Sequence, residues 1–167
     1  YKRQVIVGGP DPDGRDPVTV DEIERSGANA VVTGYREDLP ELLAAMDLFV
    51  LASHWEGMPI AGIQAGAMGK PRILTDVRGT REIARDGVDA VFVAPNDPGA
   101  LSRAIVSLAR DTGRAAELGS AARRTAVSEY SLHAMLQRLL QGYASAGRGR
   151  ASEWAARAQL EHDRTRA

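Results

Sequence analysis

The sequence predicts an α/β fold in which a mainly parallel sheet is covered by helices and followed by an all-helical segment. Two observations lead to this prediction. Short apolar runs, several carrying Val or Ile, alternate with helical patterns, which is typical of parallel strands joined by crossover helices. After residue 93 the strand pattern stops, and apolar residues recur only at helical spacing.

The elements follow in order along the chain. Because the strands lack polar alternation, we expect them to be covered on both faces. The predicted strands are residues 4–7, 30–33, 48–51, 72–74 and 90–93, and the predicted crossover helices are residues 18–25, 39–46, 60–68 and 80–85.

The all-helical segment is predicted from its caps and its apolar spacing. Asn96 or Asp97 caps a first helix with Pro98 behind it, and a second helix covers residues 114–128. Ser131 caps a third helix, whose apolar residues from 132 to 143 recur at helical spacing. We therefore predict one domain over residues 1–146 and a polar tail over residues 147–167.

Composition excludes several classes of function. The chain has 167 residues, a formal net charge of -1 and no cysteine. The charge gives no bulk attraction to nucleic acid or to an anionic membrane. Disulfides and thiolate metal sites are excluded, which favours a cytoplasmic protein. No apolar run reaches the roughly 20 residues of a membrane span.

The most informative segment follows the third predicted strand and reads SHWEGMPIAGIQAGAMGKP, residues 53–71. Ligands of open α/β sheets bind beyond the carboxyl ends of strands, near the N-termini of helices. Gly57 and Pro59 shape a turn before a helix that begins near Ile60, and its first amides suit a phosphate. Glu56 is either an acid that stabilises this helix or a carboxylate that binds the hydroxyls of a ligand.

The segments around this turn resemble the retaining glycosyltransferases of the GT-B fold that use nucleotide sugars. The resemblance extends from VIVGGP through VVTGYREDLPELLAAMDLFV and the turn to VFVAPNDPGALSRAIVSLARD and LGSAARRTAVSEYS. It implies a Rossmann-like three-layer α/β/α domain, the C-terminal half of that fold, from bacterial carbohydrate biosynthesis. It also implies hexosyl transfer from a nucleoside diphosphate sugar, which is a substrate, with neither a cofactor nor a metal.

The resemblance assigns roles to individual residues. The family pattern is E-x7-E, in which the first acid and the following turn contact the donor sugar and diphosphate, and the second acid holds the ribose. Glu56 matches the first acid and is the predicted catalytic residue, and the second position falls on Gln64. The remaining predicted donor-binding residues are Gly9, Gly34, Tyr35, His54, Gly57, Met58, Pro59 and Ile60. For His54, a plain loop histidine is the alternative.

The chain departs from the family pattern at two positions of the turn and its helix. Gln64 offers one accepting oxygen and no charge, so we expect nucleotide binding weaker by about 1–2 kcal/mol. Gly66 replaces a residue that is usually Met, at a helix cost of about 0.8–1 kcal/mol relative to Ala.

The resemblance also implies parts that these residues do not supply. In the family an earlier strand-turn unit gives an Arg and a Lys that neutralise the diphosphate, and an N-terminal domain binds the acceptor. We expect the chain to be a truncated fragment that is inactive alone, whose partner is that N-terminal domain and which associates peripherally with membrane only through it. Arg36, Arg78 and Arg81 lie in loops at the correct ends of strands, either as substitutes for the missing cations or as solvated side chains.

The sequence leaves one other class of function open and disfavours a second. A non-catalytic pseudo-glycosyltransferase or nucleotide-binding interaction module is the alternative that Gln64 favours. A phospho-receiver is disfavoured, because Ala52 and Ser53 occupy the place of its aspartate after the third strand. The histidines lack the spacing of metal ligands, so no metal site is predicted.

Overall fold

The computed structural model describes residues 4–8 and 19–146. Within them, the strands are β1 (Gln4–Ile6), β2 (Ala30–Val32), β3 (Phe49–Leu51), β4 (Arg72–Thr75) and β5 (Val91–Val93). The helices of the same residues are α1 (Val20–Arg25), α2 (Leu39–Ala45), α3 (Ile60–Ala67), α4 (Arg78–Ile83), α5 (Pro98–Arg110), α6 (Thr112–Tyr130) and α7 (Leu132–Ala146). None of these helices is both long enough and apolar enough to cross a membrane.

The chain divides into two compact units, Tyr1–Ala45 and Met46–Ala167. In the first unit β1 and β2 pair in parallel, with Gln4 opposite Ala30. The helix between them begins at a capping box, in which the Thr19 hydroxyl accepts from the Glu22 amide and the Glu22 carboxylate accepts from the Thr19 amide. The Thr19 amide and the Thr19 hydroxyl both donate to the Glu22 carboxylate, and these two bonds lower the pKa of Glu22.

The second unit contains a three-stranded parallel sheet in the order β3-β4-β5. The central strand β4 is buried at all four of its residues, so both of its faces are covered. Its Ile73 packs in a core with Val93 of β5, Leu108 of α5 and Leu118 of α6. The all-helical end of the described chain therefore closes the same core as the sheet.

The predicted fold class is confirmed, with mainly parallel sheets, flanking helices and a helical C-terminal segment. The caps at Asp97 and Ser131 are also confirmed, because their side chains accept from the amides of Ala100 and Ala134. The tail predicted over residues 147–167 lies outside the described residues.

Several element ends lie one or two residues from their predicted positions, and two differences from the prediction have a physical explanation. The expected covering of both faces is wrong for β1, whose three residues are exposed. Helix α4 begins at Arg78, two residues earlier than predicted, because the Val77 amide donates to the Thr80 hydroxyl and starts the helix there.

An ion pair is buried at the start of β4. Arg72 and Asp89 have side chains only 1% exposed, and Arg72 Nη2 lies 3.4 Å from Asp89 Oδ1. The guanidinium also donates to the main-chain oxygens of Asp89 and of Gly62 in α3. Burial lowers the pKa of Arg72, against the effect of Asp89, but an arginine stays charged in any protein environment. The pair thus ties α3 to the sheet.

This pair explains the unusual glycine in α3. A Cβ at Gly66 would lie 3.0 Å from Arg72 Nη1 and 3.4 Å from the Ala122 oxygen of α6. A larger residue would therefore compete with the guanidinium for the same space. The helix cost of Gly66 is offset by the hydrogen bonds that Arg72 makes in that space.

Replacing Arg72 by Met should destabilise the second unit by about 3–5 kcal/mol, because the Asp89 carboxylate would remain buried without its cation. Urea unfolding monitored by circular dichroism measures this change. The double variant Arg72→Met/Asp89→Asn should recover part of the loss. The matched control is Arg103→Met at an exposed position of α5, where we expect a change within about 0.5 kcal/mol. Equal midpoints for Arg72→Met and Arg103→Met would contradict the assignment.

Candidate functional site

The turn between β3 and α3 leaves the start of α3 uncapped by any side chain. Pro59 is the N-cap residue, with extended backbone and no side-chain hydrogen bond to the helix. Its carbonyl accepts from the amides of Gly62 and Ile63 at 3.0 and 3.2 Å. The amides of Ile60 and Ala61 precede the first possible intrahelical acceptor. These two donors, together with the helix dipole, suit an anion.

Glu56 is held in this turn by a serine three residues earlier. The Ser53 hydroxyl donates to Glu56 Oε1 at 2.6 Å, a distance typical of a hydroxyl bonded to an ionised carboxylate. Both residues are half-buried, whereas the intervening Trp55 is 81% exposed. The carboxylate is therefore fixed against the turn, while its neighbour extends into solvent.

The backbone of the turn is fixed from a second side by α4. A Cβ at Gly79 would lie 2.3 Å from the Glu56 main-chain oxygen and 2.6 Å from that of Gly57. Only glycine allows the first turn of α4 to approach this closely.

Thr75 at the end of β4 and Thr80 of α4 join these two supports. The Thr75 hydroxyl donates to the Ser53 main-chain oxygen at 2.6 Å, and the Thr75 oxygen accepts from the Thr80 hydroxyl of α4 at 2.5 Å. Both threonines are buried. The serine that holds Glu56 and the helix that contacts its backbone are thus both attached to one strand end.

The other predicted residues of this segment fall into two groups by exposure. Pro59 is buried and anchors the turn. Gly57, Met58, Ile60 and Gln64 are exposed, with Gln64 one helical turn after Ile60. The segment therefore presents a backbone and side-chain surface at which a ligand can be bound, and the individual contacts stay predictions.

His54 is exposed, and no hydrogen bond or ion pair of it is present within the described part of the chain. This environment is compatible with both interpretations of His54, a donor-binding residue and a loop histidine. Its role as a donor-binding residue stays a prediction.

Three predicted donor-binding residues belong to the first unit. Gly34 has a φ of +66°, a conformation that favours glycine, and its oxygen accepts from the Gly8 amide at 2.9 Å. Tyr35 follows with an exposed ring. Gly9 lies outside the described residues. The structure therefore brings the residues from His54 to Gln64 together in the second unit, and it describes Gly34 and Tyr35 within their own unit.

Two of the three arginines considered as cations for a phosphate are engaged by neighbouring aspartates. Arg81 makes two hydrogen bonds to Asp76, at 2.6 and 2.9 Å, and these bonds lower the pKa of Asp76. Arg36 is paired in the same way with Asp38. Arg78 is exposed, and within residues 4–8 and 19–146 it forms no ion pair. Of these three, Arg78 keeps a charge that no aspartate offsets.

Metal binding finds no support in the described residues, which contain no group of three or more His, Asp or Glu side chains that could hold an ion. Metal independence of the chemistry stays a prediction.

The sequence pattern missed Ser53, Thr75 and Thr80. Ser53 lies three residues before Glu56, a spacing at which a serine hydroxyl reaches a carboxylate. That signal was present in the sequence. The bond from Thr75 to Ser53 joins residues 22 positions apart and had no local signal.

Known proteins similar to this chain are glycosyltransferases. The family model for glycosyl transferases group 1 matches residues 2–111. The N,N'-diacetylbacillosaminyl-diphospho-undecaprenol alpha-1,3-N-acetylgalactosaminyltransferase of Campylobacter jejuni is 32% identical over 140 residues, which are 83% of this chain and 36% of the relative. The UDP-Gal:alpha-D-GlcNAc-diphosphoundecaprenol alpha-1,3-galactosyltransferase of Escherichia coli is 35% identical over 81 residues, 48% of this chain and 21% of that protein.

A solved structure shares the fold. Anabaena Alr3699/HepE in complex with UDP matches with a TM-score of 0.78 and 25% identity, over 86% of this chain and 41% of that one. The chain spans about a fifth to two fifths of the length of these three proteins.

Replacing Gly79 by Ala should move the Glu56 turn and destabilise the second unit by about 1–3 kcal/mol, because the added methyl meets main-chain atoms that no rotamer change can clear. Denaturant unfolding measures the stability, and the amide chemical shifts of residues 56–58 and 60 report the displacement. The control is Gly142→Ala in α7, where a Cβ meets nothing within 4 Å. That change should stabilise the helix by about 0.8–1 kcal/mol. A Gly79→Ala variant with unaltered shifts and stability would show that the close approach is absent in solution.

Proposed function

We propose a function for this chain, which belongs to the group 1 glycosyl transferases. It binds a nucleoside diphosphate sugar for retaining hexosyl transfer. The carrying observation is the Glu56 carboxylate, held by Ser53, ahead of the uncapped start of α3. Such a donor has sugar hydroxyls and an anionic diphosphate. The fixed carboxylate can accept hydrogen bonds from the hydroxyls, and the free amides of the same turn can donate to the diphosphate.

In this proposal the chemistry consists of positioning and electrostatic stabilisation. The amides at the start of α3 would donate to the diphosphate as it departs from the sugar, and they are already oriented before any ligand binds. Glu56 would accept hydrogen bonds from the sugar hydroxyls and orient the reacting carbon.

Uridine nucleotides are the first ligands to test. The relative from Escherichia coli is named for UDP-Gal, and the Anabaena structure contains UDP. The relatives described above are bacterial proteins, and the chain has no cysteine, so we propose a cytoplasmic role in bacterial carbohydrate biosynthesis.

A non-catalytic nucleotide-binding module is the second candidate, and two observations favour it. Gln64 cannot supply the two charge-assisted bonds that a carboxylate gives to ribose hydroxyls. Arg36 is paired with Asp38, and Arg81 of α4 is paired with Asp76, which reduces the charge available to a diphosphate.

Replacing Gln64 by Glu should strengthen UDP binding by about five- to thirtyfold, the effect of about 1–2 kcal/mol gained from charge-assisted bonds. Titration calorimetry of the 167-residue chain with UDP, GDP and ADP measures the affinity. The matched control is Gln137→Glu on the exposed surface of α7, which should leave it unchanged.

Two results of this titration would count against donor binding. Equal gains from Gln64→Glu and Gln137→Glu would show a general charge effect. The absence of binding by every nucleotide and nucleotide sugar at millimolar concentration would favour an interaction module that uses the fold without a ligand.

The 167-residue chain alone should bind a donor without transferring its sugar, because the proposed acceptor-binding half is not among these residues. Release of labelled glucose from UDP-glucose, measured against Glu56→Ala, tests this expectation. Turnover above that of the Glu56→Ala variant would contradict it.

A further inference from the structure

We infer that Ser53 is a positioning residue that sets the Glu56 carboxylate toward the donor sugar, and that Thr75 holds Ser53 in place. This inference rests on the proposed function. Ser53 lies outside the E-x7-E pattern and outside the turn that follows Glu56. The inference therefore assigns a role to a residue that the family pattern does not include.

The first step is the direct contact. Ser53 Oγ lies 2.6 Å from Glu56 Oε1, so the hydroxyl donates a hydrogen bond to one carboxylate oxygen. A carboxylate has about four lone-pair sites, and this bond uses one of them. The other oxygen remains available to accept sugar hydroxyls, while rotation of the carboxylate is restricted.

The second step is that the Ser53 hydroxyl does not cap the N-terminus of α3. Serines before a helix usually accept from its first amides, but α3 begins after Pro59 and has no side-chain cap. The serine hydroxyl is committed to Glu56, and the α3 amides stay free for an anion.

The third step is the anchoring of Ser53 itself. Thr75 is 4% exposed, and its hydroxyl donates to the Ser53 main-chain oxygen at 2.6 Å. If Ser53 moves, this buried donor keeps only the Leu51 main-chain oxygen at 3.5 Å, a much weaker bond, and such a loss is costly. Ser53 is therefore fixed by the sheet, and Glu56 is fixed by Ser53.

Binding of UDP and UDP-glucose to the full chain separates positioning of the sugar from binding of the nucleotide. The quantity measured is the ratio of the UDP-glucose Kd to the UDP Kd. Ser53→Ala should raise this ratio about three- to tenfold, the effect of one hydrogen bond. In Ser53→Ala/Glu56→Ala the ratio should not exceed that of Glu56→Ala, because the serine acts through the acid.

Thr and Val at position 53 give a pair of equal size that differs in the hydroxyl. Ser53→Thr should keep the ratio near that of the original chain, and Ser53→Val should raise it as Ala does. Thr75→Val should also raise the ratio of the UDP-glucose Kd to the UDP Kd. Ser102→Ala on the exposed surface of α5 is the matched control and should leave both affinities unchanged.

The possible failures are distinguishable. Equal weakening of UDP and UDP-glucose in Ser53→Ala would show a structural role for the serine and overturn the inference. An unchanged ratio in Ser53→Ala, or equal ratios in Ser53→Thr and Ser53→Val, would overturn it while leaving donor binding intact. No binding of either ligand by the original chain would overturn the proposed function and this inference together.

Discussion

The burial of β4 is the constraint on which the second unit depends. All four residues of this strand are buried, so every polar group at its two ends must find a partner within the protein. At the start of the strand Arg72 is satisfied by Asp89 and by the carbonyl of Gly62 in α3. At its end Thr75 is satisfied by Ser53 and Thr80. The need to satisfy these groups therefore fixes both the helix and the turn of the candidate site.

One consequence is that the two halves of the candidate site are supported from opposite ends of one strand. The orientation of α3, which sets its free amides, depends on Arg72. The position of Glu56 depends on Thr75 through Ser53, and on the approach of Gly79 to its backbone. A substitution at either end of β4 can therefore alter the geometry of the candidate site, even though the substituted residue does not contact the ligand.

The sequence pattern predicted the parallel strands, the helices and the caps at Asp97 and Ser131, because these depend on local spacing and local hydrogen bonds. It could not predict the Arg72–Asp89 pair, since charged residues are almost never fully buried unless they are paired, and the two partners lie 17 positions apart. Gly66 illustrates the difference. The sequence alone indicates only the helix cost of this glycine, whereas the structure shows the Arg72 guanidinium that needs the space. The exposure of β1 was missed because a run of apolar residues does not specify what covers it.

The electrostatics of the turn follow from the same local bonds. The chain as a whole has a net charge of -1, and Asp76 binds Arg81, so Arg78 is the one of the three candidate arginines whose charge no aspartate offsets. The other groups that suit an anion are the amides at the start of α3, which act over short distances and only in the correct orientation. Binding at such a turn depends on geometry more than on net charge. The hydrogen bonds that run from Thr75 through Ser53 to Glu56, and the contact of Gly79 with the turn, are what maintain that geometry.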